Sequence, residues 1–290
     1  MTDIQYLAPT SLDEAISAYA AAEGAGRILA GGTDLLVQMQ ASMVEPGLIV
    51  DIKNIAELTA IEGSAESGFV IGAAVSCATL EKHPGFGEAW PGVLEGLNLI
   101  GSTQIQGRAS MGGNLCNASP AADSVPGMVA AGATASIIGP NGARDIAVQD
   151  LPAGPGKTTL APGEIVVGIN LPAPAPRSGD AYLRFIPRTE MDIAVVGAGI
   201  SVTLDDAGTC TAARVALGAV AERVLLVDAA ADALIGTTID AAALENLAAA
   251  ASAATRPIDD KRGTAEYRTK VAGVLARRAA VIARDRALNK

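Results

Sequence analysis

Two pairs of glycines stand in segments whose residue types could hold a phosphate. Gly31 and Gly32 lie within the segment AGGTDL at 30–35, and a second pair lies within SMGGN at 110–114. Glycine pairs let the backbone turn its amides onto a phosphate, because no Cβ stands in the way. Two such segments predict a ligand with two phosphates and a sugar. A bound dinucleotide cofactor is therefore the first hypothesis.

Other residues with catalytic potential lack the partners they would need. The segment GKT at 156–158 resembles a P-loop, but the first glycine of that motif would fall at Leu151. His83 precedes a Pro-Gly turn and is expected at the surface. Asp205 and Asp206 are interpreted as turn residues rather than as an acid–base pair. We therefore expect the bound ligand to supply the reactivity.

The three cysteines, Cys77, Cys116 and Cys210, are far apart and odd in number. Because no CxxC spacing occurs and one histidine is present, they predict no disulfide framework, no zinc site and no iron–sulfur cluster of the chain's own. We expect them to be buried apolar groups in a protein of the reducing cytoplasm.

Length, charge and hydropathy exclude several further classes. A chain of 290 residues favours two domains, and 50% apolar with 18% charged residues favours a globular core. The net charge of -10 argues against nucleic acid and anionic lipid surfaces as partners. The N-terminus lacks the regions of a signal peptide, and no apolar run approaches the ~18 residues of a spanning helix. We therefore expect a soluble protein with no transmembrane segment.

Local signals place the first glycine pair between a strand and a helix. SLDE at 11–14 predicts a capping box for a helix that ends near Gly24. A buried strand at 27–30 leads into the glycines and 35–43 has helical character, an order typical of phosphate-holding turns. Further strands are predicted at 48–52, 69–72, 135–138 and 164–171, and a further helix at 90–100.

After the second glycine pair, Ser119 and Pro120 are interpreted as the N-cap and first residue of a helix that runs towards Ala131. Asp123 would lie in its first turn, where a carboxylate complements the helix dipole or accepts hydrogen bonds from a ribose. The proline-rich run at 172–179 is the clearest linker in the chain.

Beyond the linker, the pattern changes to a small sheet followed by helices. Strands are predicted at 194–204 and 211–217, joined by the turn DDAG at 205–208. Asp240 is expected to cap a helix that ends near Ala254. Gly263 and Thr264 open a last helix, whose predicted apolar stripe contains Tyr267, Val271, Val274, Leu275 and Val281.

The two glycine segments resemble those of the FAD-binding medium subunit of molybdenum hydroxylases, the group of carbon monoxide dehydrogenase, xanthine dehydrogenase and aldehyde oxidoreductase. The resemblance rests on 30–35 and 104–123, and similar segments at 154–166, 188–194 and 266–278 extend it over nearly the whole chain. It implies an α+β fold. A two-subdomain FAD-binding domain of the vanillyl-alcohol-oxidase (PCMH) type would be followed by a small C-terminal domain of a sheet and helices.

The domain boundaries that the resemblance implies are 1–175 for the FAD-binding domain, divided near 55–60, and 179–287 for the C-terminal domain. Two departures from the family pattern stand near the second glycine pair. Gln106 and Gly107 replace a frequent Arg-Asn, and Ser110 replaces a frequent Thr. Because Ser110 keeps the hydroxyl, binding is still expected, with the phosphate charge less well neutralised.

The resemblance also implies the cofactor site. The amides of 30–34 and of 110–114 would hold the FAD diphosphate, and Asp123 would hold the ribose. Ile100, Val167 and Arg184 fall where the family contacts the flavin ring or the adenine portion. The implied set, with no catalytic side chain and no metal ligand, is Ala30, Gly31, Gly32, Thr33, Asp34, Ile100, Ser110, Met111, Gly112, Gly113, Asn114, Ser119, Asp123, Val167 and Arg184.

In function, the resemblance implies an oxidoreductase subunit whose FAD takes electrons from an iron–sulfur small subunit and passes them to an external acceptor. A large subunit with the molybdenum–pterin cofactor would oxidise the substrate. The complex would be a dimer of heterotrimers, cytoplasmic or loosely associated with the inner face of the membrane. Two alternatives stay open, a free-standing FAD-dependent oxidase or reductase of the same fold superfamily and an assembly subunit without cofactor.

Overall fold

The N-terminal part of the chain forms a small parallel sheet in the computed structural model, which describes residues 4–290. Its strands β1 (Gln5–Leu7), β2 (Gly26–Leu29) and β3 (Leu48–Asp51) are ordered β1-β3-β2. Helix α1 (Leu12–Ala21) connects β1 to β2, and α2 (Leu35–Gln40) follows β2. Parallel neighbours require such crossovers. The first glycine pair therefore occupies the turn between β2 and α2, as predicted.

The predicted capping box forms at the start of α1. The Ser11 hydroxyl accepts a hydrogen bond from the Glu14 amide at 3.3 Å, and the Glu14 carboxylate accepts one from the Thr10 amide at 3.4 Å. These contacts satisfy donors that the helix itself leaves free. They fix the direction in which the chain enters the first crossover.

A five-stranded antiparallel sheet follows, in the order β4-β5-β10-β6-β7. Short helices between β5 and β6 carry the second glycine pair on α7, and a two-stranded hairpin of β8 and β9 precedes β10. The bounds are β4 (Ile61–Ser64), β5 (Gly68–Gly72), α3 (Cys77–Glu81), α4 (Phe86–Ala89), α5 (Pro91–Leu97), α6 (Thr103–Gln106), α7 (Met111–Cys116), α8 (Ser124–Ala130), β6 (Thr134–Gly139), β7 (Gly142–Ala147), β8 (Pro152–Gly154), β9 (Lys157–Thr158) and β10 (Ile165–Leu171).

The helix predicted from Pro120 begins four residues later, at Ser124, so that prediction was wrong at its N-terminus. The Ser119 hydroxyl accepts a hydrogen bond from the Ala121 amide at 3.2 Å and stabilises a turn rather than a helix start. The carbonyl of Pro120 accepts a hydrogen bond from Ala219 at 2.7 Å, which draws this segment towards the C-terminal sheet. Asp123 is the N-cap residue of α8, and its side chain makes no capping bond.

The C-terminal part is an antiparallel sheet in the order β11-β12-β13-β14, covered by helices. The bounds are β11 (Ser178–Phe185), β12 (Val196–Leu204), β13 (Cys210–Gly218), β14 (Leu225–Leu226), α9 (Asp228–Asp232), α10 (Ala241–Ala254) and α11 (Ala265–Leu288). Asp205 organises the predicted turn between β12 and β13, and Asp240 and Thr264 cap α10 and α11 as predicted. Ser178 and Gly179 belong to β11, so the linker is shorter than predicted.

The predicted apolar stripe of α11 is confirmed in part, because Leu275 is buried and Val271 packs against the core, but it was wrong at Tyr267. Tyr267 is 42% exposed, whereas the buried face of the helix is formed mainly by alanines such as Ala276, Ala279 and Ala283. The small side chains let α11 approach β11 closely, and Gly179 of that strand lies directly against the carbonyl of Ala283. Periodicity of large residues misses such a face because the close approach excludes them.

Buried apolar side chains form three clusters, one with each of the larger sheets. The cluster of the parallel sheet, around Val50 and Ile52, also contains Ala74 and Ile165 from the five-stranded sheet region. The first two sheets therefore share packing, and the functional site lies where they meet. None of the helices within residues 4–290 combines the length and apolar composition that crossing a bilayer requires.

Candidate functional site

A cavity of about 510 Å³ lies between the turn after β2, helix α7 and the chain around β9 and β10. Its volume is within the range of sites for small-molecule cofactors. It brings together both glycine segments, although they are far apart in the sequence. The predicted residues that line it are Ala30, Gly31, Gly32, Thr33, Asp34, Ile100, Ser110, Gly112, Gly113 and Asn114.

Two of the glycines allow close backbone approach. A Cβ on Gly31 would overlap the carbonyl of Arg108, so the first glycine segment contacts the chain just before the second one. A Cβ on Gly112 would lie 2.7 Å from the carbonyl oxygen of Ala73, just beyond β5. Real Cβ atoms do not approach backbone oxygens this closely, so both positions require glycine as the chain stands.

The turn from Gly31 to Asp34 offers a series of free donors. None of its four backbone amides donates a hydrogen bond to an acceptor within residues 4–290. Half-buried amides such as those of Gly31, Gly32 and Thr33 rarely stay without an acceptor. These four amides border the cavity, and a diphosphate would supply the oxygens they lack.

Helix α7 presents a further backbone donor to the same cavity. The Ser110 hydroxyl caps the helix by accepting from the Gly113 amide at 3.0 Å. The amide of Gly112, in the first turn and at the cavity lining, has no acceptor in the described chain. A Cβ on Gly113 would meet only Ser110 Oγ at 3.1 Å, so the glycine leaves space on the cavity side.

Charged groups at the cavity are few, so its donors are mainly backbone amides. Arg27 is at the lining, where its guanidinium donates to the carbonyls of Gly24 and Gly26. Burial raises the pKa of Asp34 above its ordinary value. The Glu164 carboxylate is bound by Arg144 through two hydrogen bonds, which hold the pKa of Glu164 below its ordinary value.

Five predicted residues lie outside the cavity lining: Met111, Ser119, Asp123, Val167 and Arg184. The side chain of Met111 is buried in the core, and the Ser119 hydroxyl is engaged in its own turn. Val167, on β10, contributes its carbonyl oxygen to the amide of Ala73 at 3.0 Å. Val167 thus binds the lining residue Ala73, and Met111 packs in the core next to the lining residue Gly112.

Asp123 and Arg184 form a buried ion pair beside the cavity. The Arg184 guanidinium donates to Asp123 Oδ2 at 2.7 Å, and the Tyr182 hydroxyl donates to Asp123 Oδ1 at 3.0 Å. Desolvation raises the pKa of Asp123 to about 6, and both Arg184 and Tyr182 oppose the rise. The next residue, Ser124, donates to the side-chain oxygen of Asn114 in the lining.

Several lining residues were missed by sequence reasoning. Gly156 and Thr158, from the segment dismissed as a P-loop, border the cavity because the hairpin of β8 and β9 folds over it. Gln38 on α2 and Asn117 at the end of α7 both line the cavity, and the Gln38 side chain donates a hydrogen bond to Asn117 at 3.0 Å. Tyr19, Arg27 and Cys116 are further lining residues, and no local pattern in the sequence marks them.

Comparison with known proteins identifies the two parts of the chain. Residues 2–174 match the FAD binding domain in molybdopterin dehydrogenase, and residues 181–282 match the CO dehydrogenase flavoprotein C-terminal domain. The carbon monoxide dehydrogenase medium chain of Afipia carboxidovorans is 34% identical over 98% of each chain. The nicotinate dehydrogenase FAD-subunit of Eubacterium barkeri is 30% identical over 84% of each.

Solved structures show the same similarity in three dimensions. The fold matches a chain of the cyanide-inactivated Cu,Mo-CO dehydrogenase with a TM-score of 0.93 and 34% identity, over 98% of both chains. The fold and the paired glycine segments thus define an FAD-binding oxidoreductase subunit with a C-terminal flavoprotein domain. The chain belongs to the family of FAD-binding medium subunits of molybdenum hydroxylases.

Proposed function

We propose that the chain is the subunit of a molybdenum hydroxylase complex that passes electrons to an external acceptor, with FAD bound in the cavity between the two glycine segments. The observation that carries this proposal is the set of free amides at Gly31 to Asp34 and at Gly112 in the first turn of α7. These donors border one cavity, and Gly113 leaves open space beside them. A diphosphate between two sugars would satisfy them together.

The proposed roles follow from where each residue lies. The amides of Gly31 to Asp34 and of α7 hold the diphosphate, and Ile100 packs near the flavin ring or the adenine. Asp123 holds a sugar hydroxyl from the edge of the site, and Arg184 holds Asp123. Ser119, Met111 and Val167 keep the wall in shape.

When bound, FAD would accept electrons one at a time and release them in pairs. The chain's own residues contribute binding, orientation and a partly closed cavity. Ser110 fixes the start of α7 through its bond to Gly113, and Gln38 joins α2 to Asn117 across the site. None of these steps requires a catalytic acid or base, which agrees with a subunit that transfers electrons only.

We propose two partners, an iron–sulfur small subunit that delivers electrons and a large subunit that carries the molybdenum–pterin cofactor, assembled as a dimer of heterotrimers. The relatives named after carbon monoxide and nicotinate dehydrogenases support this assignment. Substrate choice would belong to the large subunit, and an external acceptor would receive the electrons. Three free cysteines, Cys77, Cys116 and Cys210, support a cytoplasmic location.

Two measurements test the proposal. The chain expressed alone should bind FAD in a 1:1 ratio and should be reducible by dithionite, yet oxidise no aldehyde, purine or carbon monoxide. The complex purified from its native source should contain molybdenum and iron together with FAD. Substrate oxidation by the lone chain would establish the free-standing flavoenzyme, and absence of FAD from both preparations would establish the assembly subunit.

A further inference from the structure

Tyr182 connects the C-terminal sheet to the segment that follows the second glycine pair. It lies on β11, its side chain is 2% exposed, and its hydroxyl donates to Asp123 Oδ1 at 3.0 Å. Its backbone amide donates to Glu95 of α5 at 2.8 Å. Tyr182 is therefore held at both ends, between the helix α5 and the carboxylate of Asp123.

Glycines of the C-terminal sheet allow this contact. A Cβ on Gly197 would lie 2.6 Å from the Tyr182 hydroxyl, and one on Gly199 would lie 2.4 Å from the carbonyl oxygen of Pro126. The surface of β12 is thus flat enough for the start of α8 to lie directly on it. The Tyr182 hydroxyl is confined between Gly197 and Asp123.

The same cluster contacts two parts of the cavity wall. Arg184 donates to the Leu99 carbonyl at 2.8 Å, next to Ile100 of the lining. Ser124, next to Asp123, donates to Asn114 through its hydroxyl at 2.6 Å. A displacement of the Asp123 carboxylate would therefore be transmitted to both sides of the site.

We propose that Tyr182 is a positioning residue of the flavin site, whose hydroxyl orients the Asp123 carboxylate for the sugar portion of FAD. This inference rests on the proposed function, because it assumes that FAD occupies the cavity. It makes the C-terminal sheet part of the flavin site, although residues of that sheet do not line the cavity.

The charges around Asp123 give the proposal a distinctive pH dependence. Arg184 and Tyr182 of β11 face the carboxylate and lower its pKa against desolvation. Glu95 of the neighbouring α5 is occupied by the Tyr182 amide and by Arg286 of α11. Loss of the Tyr182 hydroxyl removes one of the groups that favour the charged form, so the pKa of Asp123 should rise.

The test is FAD titration of the Tyr182→Phe variant between pH 5 and 8. We expect the dissociation constant at pH 7 to rise about tenfold, the low end for a hydrogen bond to a charged group. Wild-type affinity should fall as the pH drops through the pKa of Asp123, and the midpoint should move upward in the variant. Tyr267→Phe, with a half-exposed ring in the same domain, is the matched control and should behave as wild type.

A double-mutant cycle with Asp123→Asn separates positioning from general stability. If Tyr182 acts through Asp123, the double variant should bind FAD no more weakly than Asp123→Asn alone. Gly197→Ala, which displaces the hydroxyl without removing it, should reproduce the shift of the midpoint. An unchanged midpoint in Tyr182→Phe, additive losses, or full affinity of Asp123→Asn would overturn the inference, whereas a wild-type chain without FAD would overturn the proposed function.

Discussion

The backbone of Gly31 lies directly against the carbonyl of Arg108, so the first glycine segment touches the chain two residues before the second one. Gly31→Ala would push the first glycine segment away from Arg108, and the free amides of Gly31 to Asp34 would move with it. We expect the variant to lose about 1–3 kcal/mol of stability, the usual cost of overpacking. FAD affinity should fall at least about tenfold, for a loss of ~1.4 kcal/mol or more, as measured by fluorescence titration.

Gly107→Ala is the control for this prediction. Its Cβ would lie 3.5 Å from the Gln104 carbonyl, which is an ordinary contact, although Gly107 is adjacent to Arg108. This variant should keep wild-type affinity for FAD. Equal affinities of both variants would show that the contact of Gly31 with Arg108 has no role in cofactor binding.

Gly113→Val should remove FAD binding without unfolding the protein. The glycine is helical and its Cβ would face the cavity, so the valine side chain would occupy the space proposed for phosphate. Gly32→Val should instead lower stability, because Gly32 has φ +74 and a Cβ there would lie 2.7 Å from Leu29. That backbone strain costs about 1–3 kcal/mol.

Flavin absorbance and a thermal melt of each variant separate these two effects. Gly113→Val should melt near the wild-type temperature and contain no flavin. Full flavin content in this variant would mean that Gly113 is only part of a tight helix start and that the diphosphate lies elsewhere.

Asp180→Asn should change how the stability of the FAD-free protein depends on pH. Asp180 is 2% exposed, and its Oδ1 has no partner in the part of the chain that the structure describes. Burial raises its pKa to about 7, and Arg286 opposes the rise. Because the folded pKa exceeds the unfolded one, this carboxyl favours folding below about pH 4, and that contribution is lost as the pH rises to 7.

The Asn variant should therefore gain stability relative to wild type with rising pH, by about 2–4 kcal/mol at pH 8. Its amide oxygen can still accept from the Val93 amide, as Asp180 Oδ2 does at 3.2 Å. Urea unfolding at pH 5 to 8 measures the difference. Asp206→Asn, at a fully exposed side chain, should leave the profile unchanged. A wild-type profile in Asp180→Asn would contradict the assignment.

Cys116 should remain a thiol although it lines the cavity. Burial raises the pKa of the Cys116 thiol to about 12, so the thiolate that would attack a flavin or an alkylating reagent is scarce at neutral pH. We expect FAD to be released on acid precipitation and Cys116→Ser to keep its full flavin content. Flavin retained on the denatured wild-type chain, as seen by absorbance of the pellet, would disprove a non-covalent site.

Sequence signals succeeded where the determinants lie within a few residues of each other. The Ser11 cap, the Asp205 turn and the Asp240 cap each depend on one side chain and a neighbouring amide. The start of α8 was misjudged because Pro120 is held by Ala219, a contact that no local pattern encodes. The domain boundaries near 55–60 and between 175 and 179 stay predictions.

The same distinction applies to the site. Both glycine segments stand out because their chemistry is local, and ten of the fifteen predicted residues line one cavity. No local sequence pattern marks Tyr182 as a site residue, because its partner Asp123 lies 59 positions away in the sequence. Gly156 and Thr158 were discounted for a motif they do not form, and the fold uses them for another purpose.

The hydrogen bond between Gln38 and Asn117 joins residues that are 79 positions apart, and Arg184 reaches back 61 positions to Asp123. During translation, the segment with the first glycine pair therefore leaves the ribosome long before its partners exist. Domains fold as units as their residues emerge, and contacts of high sequence separation form late. Full FAD affinity is thus expected to follow synthesis of the chain beyond Arg184. A nascent chain that ends before β11 already contains the residues that line the cavity, the last of which is Val166. It lacks the contacts of Tyr182 and Arg184 with Asp123, so we expect it to bind FAD more weakly than the full chain.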